Sequence, residues 1–102
     1  MKRDDLSDHR RQIDVIDLKI LELLNERSRV VEKIGNIKQE LGLPIYEPKR
    51  EDDVFHNVIT NNPGPLPPDA VKRLFERIID EMRTLQRMKR AAAEPASADG
   101  SK

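Results

Sequence analysis

The sequence has no cysteine and no tryptophan, and it holds one Tyr and two Phe among 102 residues. Without cysteine the chain can form no disulfide framework, no thiolate metal site and no cysteine nucleophile. Two histidines, His9 and His56, are too far apart in the sequence to suggest a pair of metal ligands. We therefore expect no zinc centre.

The chain also has no long apolar run and no surplus of charge of either sign. It carries 19 Lys+Arg against 19 Asp+Glu. A span across a bilayer needs about 20 consecutive apolar residues, and a general nucleic-acid-binding protein carries a basic surplus. Met1–Arg3 is not followed by the apolar segment of a secretory signal. We expect a cytoplasmic protein with neither a membrane nor a nucleic acid as its partner.

A long helix is predicted from Leu6 to Leu41. This stretch has no proline and one internal glycine, Gly35. Its apolar residues return every three or four positions, as on one face of a helix. They are Leu6, Ile13, Ile16, Ile20, Leu23, Leu24, Val30, Val31, Ile34, Ile37 and Leu41.

The ends of this helix carry the usual signals. Asp4, Asp5 or Ser7 could cap its start. At its end, Gly42 suits the left-handed position after a helix, and Pro44 cannot continue the helix.

Two further helices are predicted after this stop. A short one runs from Lys49 to about Thr60, and a third begins near Pro68, after the proline-rich linker 61–68. Residues 91–102 hold small, polar or proline residues and are expected to form a disordered tail. The sequence predicts an all-α fold of three helices over residues 1–90.

The long helix needs more cover than its own chain supplies. Its 36 residues measure about 54 Å at about 1.5 Å per residue, whereas the other helices have only about 12 and 22 residues. A second chain should therefore cover part of the apolar stripe.

Charged residues occupy positions where the stripe calls for apolar ones. Residues seven positions apart lie on nearly the same face of a helix. The series 6, 13, 20, 27, 34 and 41 is apolar except for Arg27. The series 10, 17, 24, 31 and 38 places Arg10, Asp17 and Lys38 on one face with Leu24. The long apolar part of each Arg or Lys side chain can extend so that its charged group reaches water, or Asp17 can neutralise these cations. Alternatively, three cations on a buried seam form a site open to an anion from outside.

Helix geometry favours a site shared between two chains. Arg27 and Lys38 lie about 16 Å apart on nearly the same face, whereas Arg10 lies about 42 Å from Lys38. In an antiparallel homodimer with a two-fold axis near residue 21, the second chain's Arg10 falls opposite about residue 32. Gln86 adds a neutral amide near the apolar face of the third helix.

An ordered set of short motifs resembles the all-α chorismate mutases, over residues of about 5 to 88. The motifs are Arg10-x-x-Ile13-Asp14-x-Ile16-Asp17, Leu23-Leu24-x-x-Arg27, Ile34-Gly35-x-x-Lys38, Pro44-Ile45-Tyr46-Glu47-Pro48-x-Arg50-Glu51, and Phe75 with Leu85-Gln86. The resemblance implies an intertwined dimer of three-helix protomers. It also implies the Claisen rearrangement of chorismate to prephenate in Phe and Tyr biosynthesis, without a cofactor.

The resemblance also implies roles for single residues. Arg10 of the neighbouring chain and Arg27 would bind the two substrate carboxylates, with Arg50 assisting, because guanidinium groups match carboxylates. Lys38 and Gln86 would donate hydrogen bonds to the ether oxygen, whose negative charge grows during the reaction.

Three further positions leave alternatives open. Glu51, together with Glu47, would receive the ring hydroxyl, although Arg50 and Glu51 could be an ordinary first-turn pair and Glu47 a solvated loop acid. Met82 stands where many relatives carry a small hydroxyl residue that touches a carboxylate. The resemblance makes Met82 a substrate-binding position, at which the hydroxyl contact is lost or comes from the backbone or another side chain.

Two other functions fit the same sequence. An isochorismate pyruvate lyase uses the same scaffold and similar cations to eliminate pyruvate. A weakly active helical module could instead dock on a shikimate-pathway enzyme and regulate it.

Overall fold

The computed structural model of the chain describes residues 3–93 and contains three helices and no strand in that range. The helices are α1 (Arg3–Leu41), α2 (Pro48–Thr60) and α3 (Pro68–Ala93). This confirms the predicted all-α, three-helix architecture. The chain divides into two units, residues 1–30 and residues 31–102.

The first unit, over its described residues 3–30, consists of the larger part of α1. Nine of its large apolar side chains keep between 48% and 66% of their surface exposed, whereas Leu24 is half-buried; the nine are Leu6, Ile13, Val15, Ile16, Leu18, Ile20, Leu21, Leu23 and Val30. The helix begins at Arg3, so the prediction that Asp4, Asp5 or Ser7 caps it is wrong. Asp4 and Asp5 lie inside the first turn, where their charge complements the helix dipole.

Within the second unit, α1 ends as its sequence predicts. Gly42 has a φ of 69°. The Leu43 N–H donates to the Lys38 carbonyl at 2.8 Å, and the Gly42 N–H donates to the Gln39 carbonyl at 3.2 Å. These two bonds form a Schellman motif, which satisfies the last carbonyls of the helix and reverses the chain.

Proline opens both of the following helices. Pro48 starts α2 after Glu47, whose extended backbone accepts the first helical bond from the Glu51 N–H at 3.1 Å. Pro68 starts α3, and the carbonyl of Pro67 accepts from the N–H of Val71 at 3.1 Å. A proline fits here because the first N–H groups of a helix have no partner within it.

The third helix extends to Ala93, three residues beyond its predicted end. Residues 94–102 of the predicted tail lie outside the described residues.

The buried core of the described chain lies on α3. It consists of three side chains that are 6–7% exposed, Val71, Ile79 and Met82. The helix α2 packs on α3, and the Lys72 ammonium lies 5.8 Å from the centre of the Phe55 ring.

On another side α3 meets residues 31–41 of α1. Lys89 Nζ lies 3.2 Å from Glu32 Oε1, and a Cβ at Gly35 would lie 3.5 Å from Gln86 Cγ. Thus α3 carries the contacts that link α2 to the end of α1.

No helix within residues 3–93 combines the length and hydrophobicity that a membrane span requires.

Replacing Gly42 by Ala should lower the free energy of unfolding by about 1 kcal/mol, because a Cβ is crowded in the left-handed region. The matched control is Gly35→Ala, a helix-interior change whose new Cβ meets Gln86 at an ordinary contact distance. It should instead stabilise the protein by about 0.5–1 kcal/mol through helix propensity. Urea unfolding at a fixed protein concentration measures both, and an unchanged stability of Gly42→Ala would contradict the motif.

Candidate active site

The end of α1 presents an ammonium group that is largely shielded from water. Lys38 lies in the last turn, and its side chain is 11% exposed. Its Nζ donates to the Ile45 carbonyl at 3.0 Å and lies 2.5 Å from Glu47 Oε1. Both partners reach Lys38 because the Schellman motif turns the chain back along the helix. The Glu47 side chain makes no cap bond to α2, which leaves it available for this ion pair.

A neutral donor lies beside the same part of α1. Gln86 Nε2 donates to the Val31 carbonyl at 3.4 Å and lies 3.6 Å from the position that a Cβ at Gly35 would take. Gly35 and Lys38 are three residues apart and therefore share one face of the helix. The structure thus places the amide of Gln86 next to the face that carries Lys38.

A third group joins α2, α3 and the segment between α1 and α2. Glu51 Oε2 lies 3.0 Å from Arg83 Nε, and both side chains are half-buried. The Arg83 guanidinium also lies 5.2 Å from the centre of the Tyr46 ring and 2.7 Å from Asp80. Sequence reasoning missed Arg83: its spacing to Asp80 was visible, but no local pattern signals its pairing with Glu51.

The other expected site residues differ in their exposure to solvent. Arg50 is exposed in the first turn of α2, and Met82 belongs to the buried core. In the first unit, Arg10 is exposed and Arg27 is half-buried. Their expected contacts with a substrate stay predictions.

A separate cleft of about 370 Å³ lies at the end of α1. Gln39, Gly42, Leu43, Pro44 and Arg90 line it. The Arg90 Nη2 is shielded from solvent and has no hydrogen-bond partner among the described residues. The partial negative charge at the C-terminus of α1 stabilises a cation at this position.

The arrangement around Lys38 can stabilise negative charge on a small ligand. An ammonium group and an amide N–H border one helix face, and the Glu51 carboxylate can accept a hydrogen bond from a hydroxyl group. No cluster of metal-ligating side chains occurs within residues 3–93. Fixed donors of this kind favour a state in which charge develops on an oxygen atom.

The fold and these donors define an all-helical domain whose fixed donors suit a small anion. Residues 9–87 match the family model for chorismate mutase type II. The chain therefore belongs to the chorismate mutase type II family.

Individual relatives agree with this assignment. The chain is 35% identical over 88 residues to the bifunctional chorismate mutase/prephenate dehydratase of Aquifex aeolicus, covering 82% of this chain and 24% of that protein. It is 40% identical over 53 residues to the chorismate mutase of Methanocaldococcus jannaschii, covering 52% of this chain and 54% of that protein. The chain thus spans about a quarter of the bifunctional relative and about half of the second.

Solved structures give the same result. A chorismate mutase from Thermus thermophilus in its form II superposes with a TM-score of 0.80 at 37% identity, covering 81% of this chain and 94% of that chain. Its form I gives a TM-score of 0.74 at 38% identity, covering 76% of this chain and 98% of that chain.

Proposed function

We propose that this chain is a chorismate mutase, which converts chorismate to prephenate in the biosynthesis of Phe and Tyr. The observation that carries the proposal is the placement of Lys38 and Gln86. An ammonium and an amide, contributed by two helices, border one face of residues 31–41. Family membership supports the same activity.

The reaction is an intramolecular rearrangement, in which a carbon–oxygen bond breaks while a carbon–carbon bond forms. No proton is transferred, so neither a base nor a nucleophile is needed. Negative charge grows on the ether oxygen as its bond to carbon breaks. Donors from Lys38 and Gln86 would stabilise that charge more in the transition state than in the substrate.

The enzyme must also hold a flexible dianion in its compact, reactive conformer. We propose that Arg27, Arg50 and the partner copy's Arg10 bind the two carboxylates. Glu51, with Glu47, would accept a hydrogen bond from the ring hydroxyl of the substrate. Met82 is buried in the fold, and its contact with a carboxylate stays part of the proposal.

We propose a homodimer in which two copies of α1 cross antiparallel. The exposed apolar residues along α1 support this arrangement, since large contiguous apolar surfaces mark interaction sites. Each of the two equivalent sites would then draw on both chains. A shikimate-pathway enzyme is a further candidate partner, because in bifunctional relatives the mutase is joined to a prephenate dehydratase. The cytoplasmic location stays a prediction.

Purified protein should convert chorismate to prephenate, as identified by NMR, and Lys38→Ala should lower kcat by about 100- to 1,000-fold. Removal of an oxyanion-type donor raises the barrier without preventing binding. Lys33→Ala, an exposed lysine on the same helix, is the matched control and should keep wild-type turnover. Circular dichroism checks that both variants are folded.

Other products would contradict the proposal in defined ways. Pyruvate formed from isochorismate, with no prephenate from chorismate, would keep the fold and change the reaction to that of the lyase. No product from either compound would favour the regulatory module.

For Gln86→Glu we predict activity that is confined to acid pH. A protonated carboxyl can still donate to the ether oxygen, whereas a carboxylate repels it. Once the introduced carboxyl is mostly ionised, kcat should fall about tenfold per pH unit. Gln39→Glu, at an exposed position, should keep the wild-type profile. Full activity of Gln86→Glu above neutral pH would remove Gln86 from this role.

Mixing two inactive variants tests the shared site. Arg10→Ala and Lys38→Ala chains, refolded together in equal amounts, should recover about a quarter of wild-type activity. Random pairing gives about half heterodimers, and each heterodimer has one intact site of two. If a verified heterodimer stays inactive, Arg10 acts within its own chain.

A further inference from the structure

Arg83 is a half-buried cation on α3 that the proposed reaction leaves without a role. It follows Met82 of the buried core and precedes Gln86 by three residues. Its side chain is 24% exposed, and it contacts α2, α3 itself and the segment between α1 and α2.

The contacts of Arg83 differ in their exposure to water. The partner on its own helix, Asp80, is 57% exposed, so this pair is screened by solvent. Glu51 is only 19% exposed and lies 3.0 Å from Nε, where charges interact more strongly than at the surface. The pairing with Glu51 is therefore the stronger constraint on both side chains.

The guanidinium is held from several sides. Asp80 binds the Nη2 end, and the Tyr46 ring lies 5.2 Å from Cζ, within the range of a cation–π contact. These contacts hold the guanidinium in place, with Nε at ion-pair distance from Glu51, although the buried Nε–H makes no hydrogen bond within residues 3–93.

This geometry leaves one oxygen of Glu51 for another partner. Arg83 lies against Oε2. The other oxygen, Oε1, has no hydrogen bond or ion pair with any residue in 3–93. A carboxylate offers about four acceptor positions, so Oε1 can accept a hydroxyl while Oε2 stays against the guanidinium.

We propose that Arg83 is a positioning residue that holds Glu51 so that Oε1 accepts the ring hydroxyl of the bound substrate. This inference rests on the proposed function. Chorismate and isochorismate are isomers that differ in the ring position of this hydroxyl. A fixed Oε1 matches one position, and a mobile carboxylate tolerates both. Arg83 thus acts, through Glu51, on the choice between the two dianions.

The test compares Arg83→Met with wild type. Methionine keeps much of the packing of the arginine stem and removes the charge. The expected result is an increase in KM for chorismate of about five- to tenfold with a smaller change in kcat, as for a lost hydrogen bond. Isochorismate, measured as a competitive inhibitor, should lose less affinity than chorismate does. Arg77→Met is the matched control: Arg77 lies on the same helix, is 76% exposed and pairs with Glu81.

A second background separates positioning from general stability. In a Glu51→Ala protein, Arg83→Met should cause no further rise in KM, because the group that it positions is gone. An equal rise in both backgrounds would overturn the proposal, as would an unchanged KM for Arg83→Met in the wild-type background. Arg83→Lys keeps the charge without the planar fork and should restore only part of the lost affinity.

Failure of the proposed function has a different signature. If wild-type protein makes no prephenate from chorismate, the proposed function fails and the role of Arg83 fails with it. If wild type is active and Arg83→Met matches Arg77→Met, the role of Arg83 alone is overturned.

Discussion

The reversal of the chain at Gly42 is the constraint on which the candidate site depends. Two hydrogen bonds, from Gly42 and Leu43 to the last carbonyls of α1, end the helix and turn the backbone back along it. Because of this turn, the Ile45 carbonyl and the Glu47 carboxylate reach the ammonium of Lys38. A helix that continued past Gly42 would carry these groups away from Lys38. The same turn sets the start of α2 at Pro48 and hence the position of Glu51.

Because the chain has a small buried core, the proposed dimer of two copies and the proposed enzymatic activity depend on each other. Within residues 3–93, three side chains are buried, and all three lie on α3. Chains of about 100 residues are marginally stable even when they bury about two thirds of their surface. The apolar residues of α1 would gain cover from a second copy. The same packing would remove water from the cations of the seam and so strengthen their attraction for a dianion.

The site residues in the second unit are held by one another before any ligand arrives. Lys38 is paired with Glu47, and Glu51 is paired with Arg83. Glu47 restricts the ammonium of Lys38, and Arg83 restricts the carboxylate of Glu51. In each pair at least one of the two side chains has little exposure to solvent. Such pairing lowers the entropy that substrate binding must remove, since the side chains already occupy few rotamers. An enzyme that acts by conformer selection and fixed charges requires this kind of preorganisation.

The local features of this protein could be predicted from its sequence. Apolar periodicity predicted three helices, glycine and proline predicted where they end and begin, and an ordered set of motifs identified the family. These signals act over a few residues, since hydrogen bonds within helices and backbone limits at Gly42 and Pro48 are local. The predicted start of α1 was wrong, because acidic residues suit both a cap and a first turn.

The contacts between distant residues, in contrast, became visible only in the folded chain. Gln86 reaches Val31, 55 positions away, and Arg83 on α3 reaches Glu51 on α2. No periodic pattern within one helix specifies such pairs, because helix formation is local, whereas the pairing of half-buried charges depends on how separate helices pack and rotate against each other.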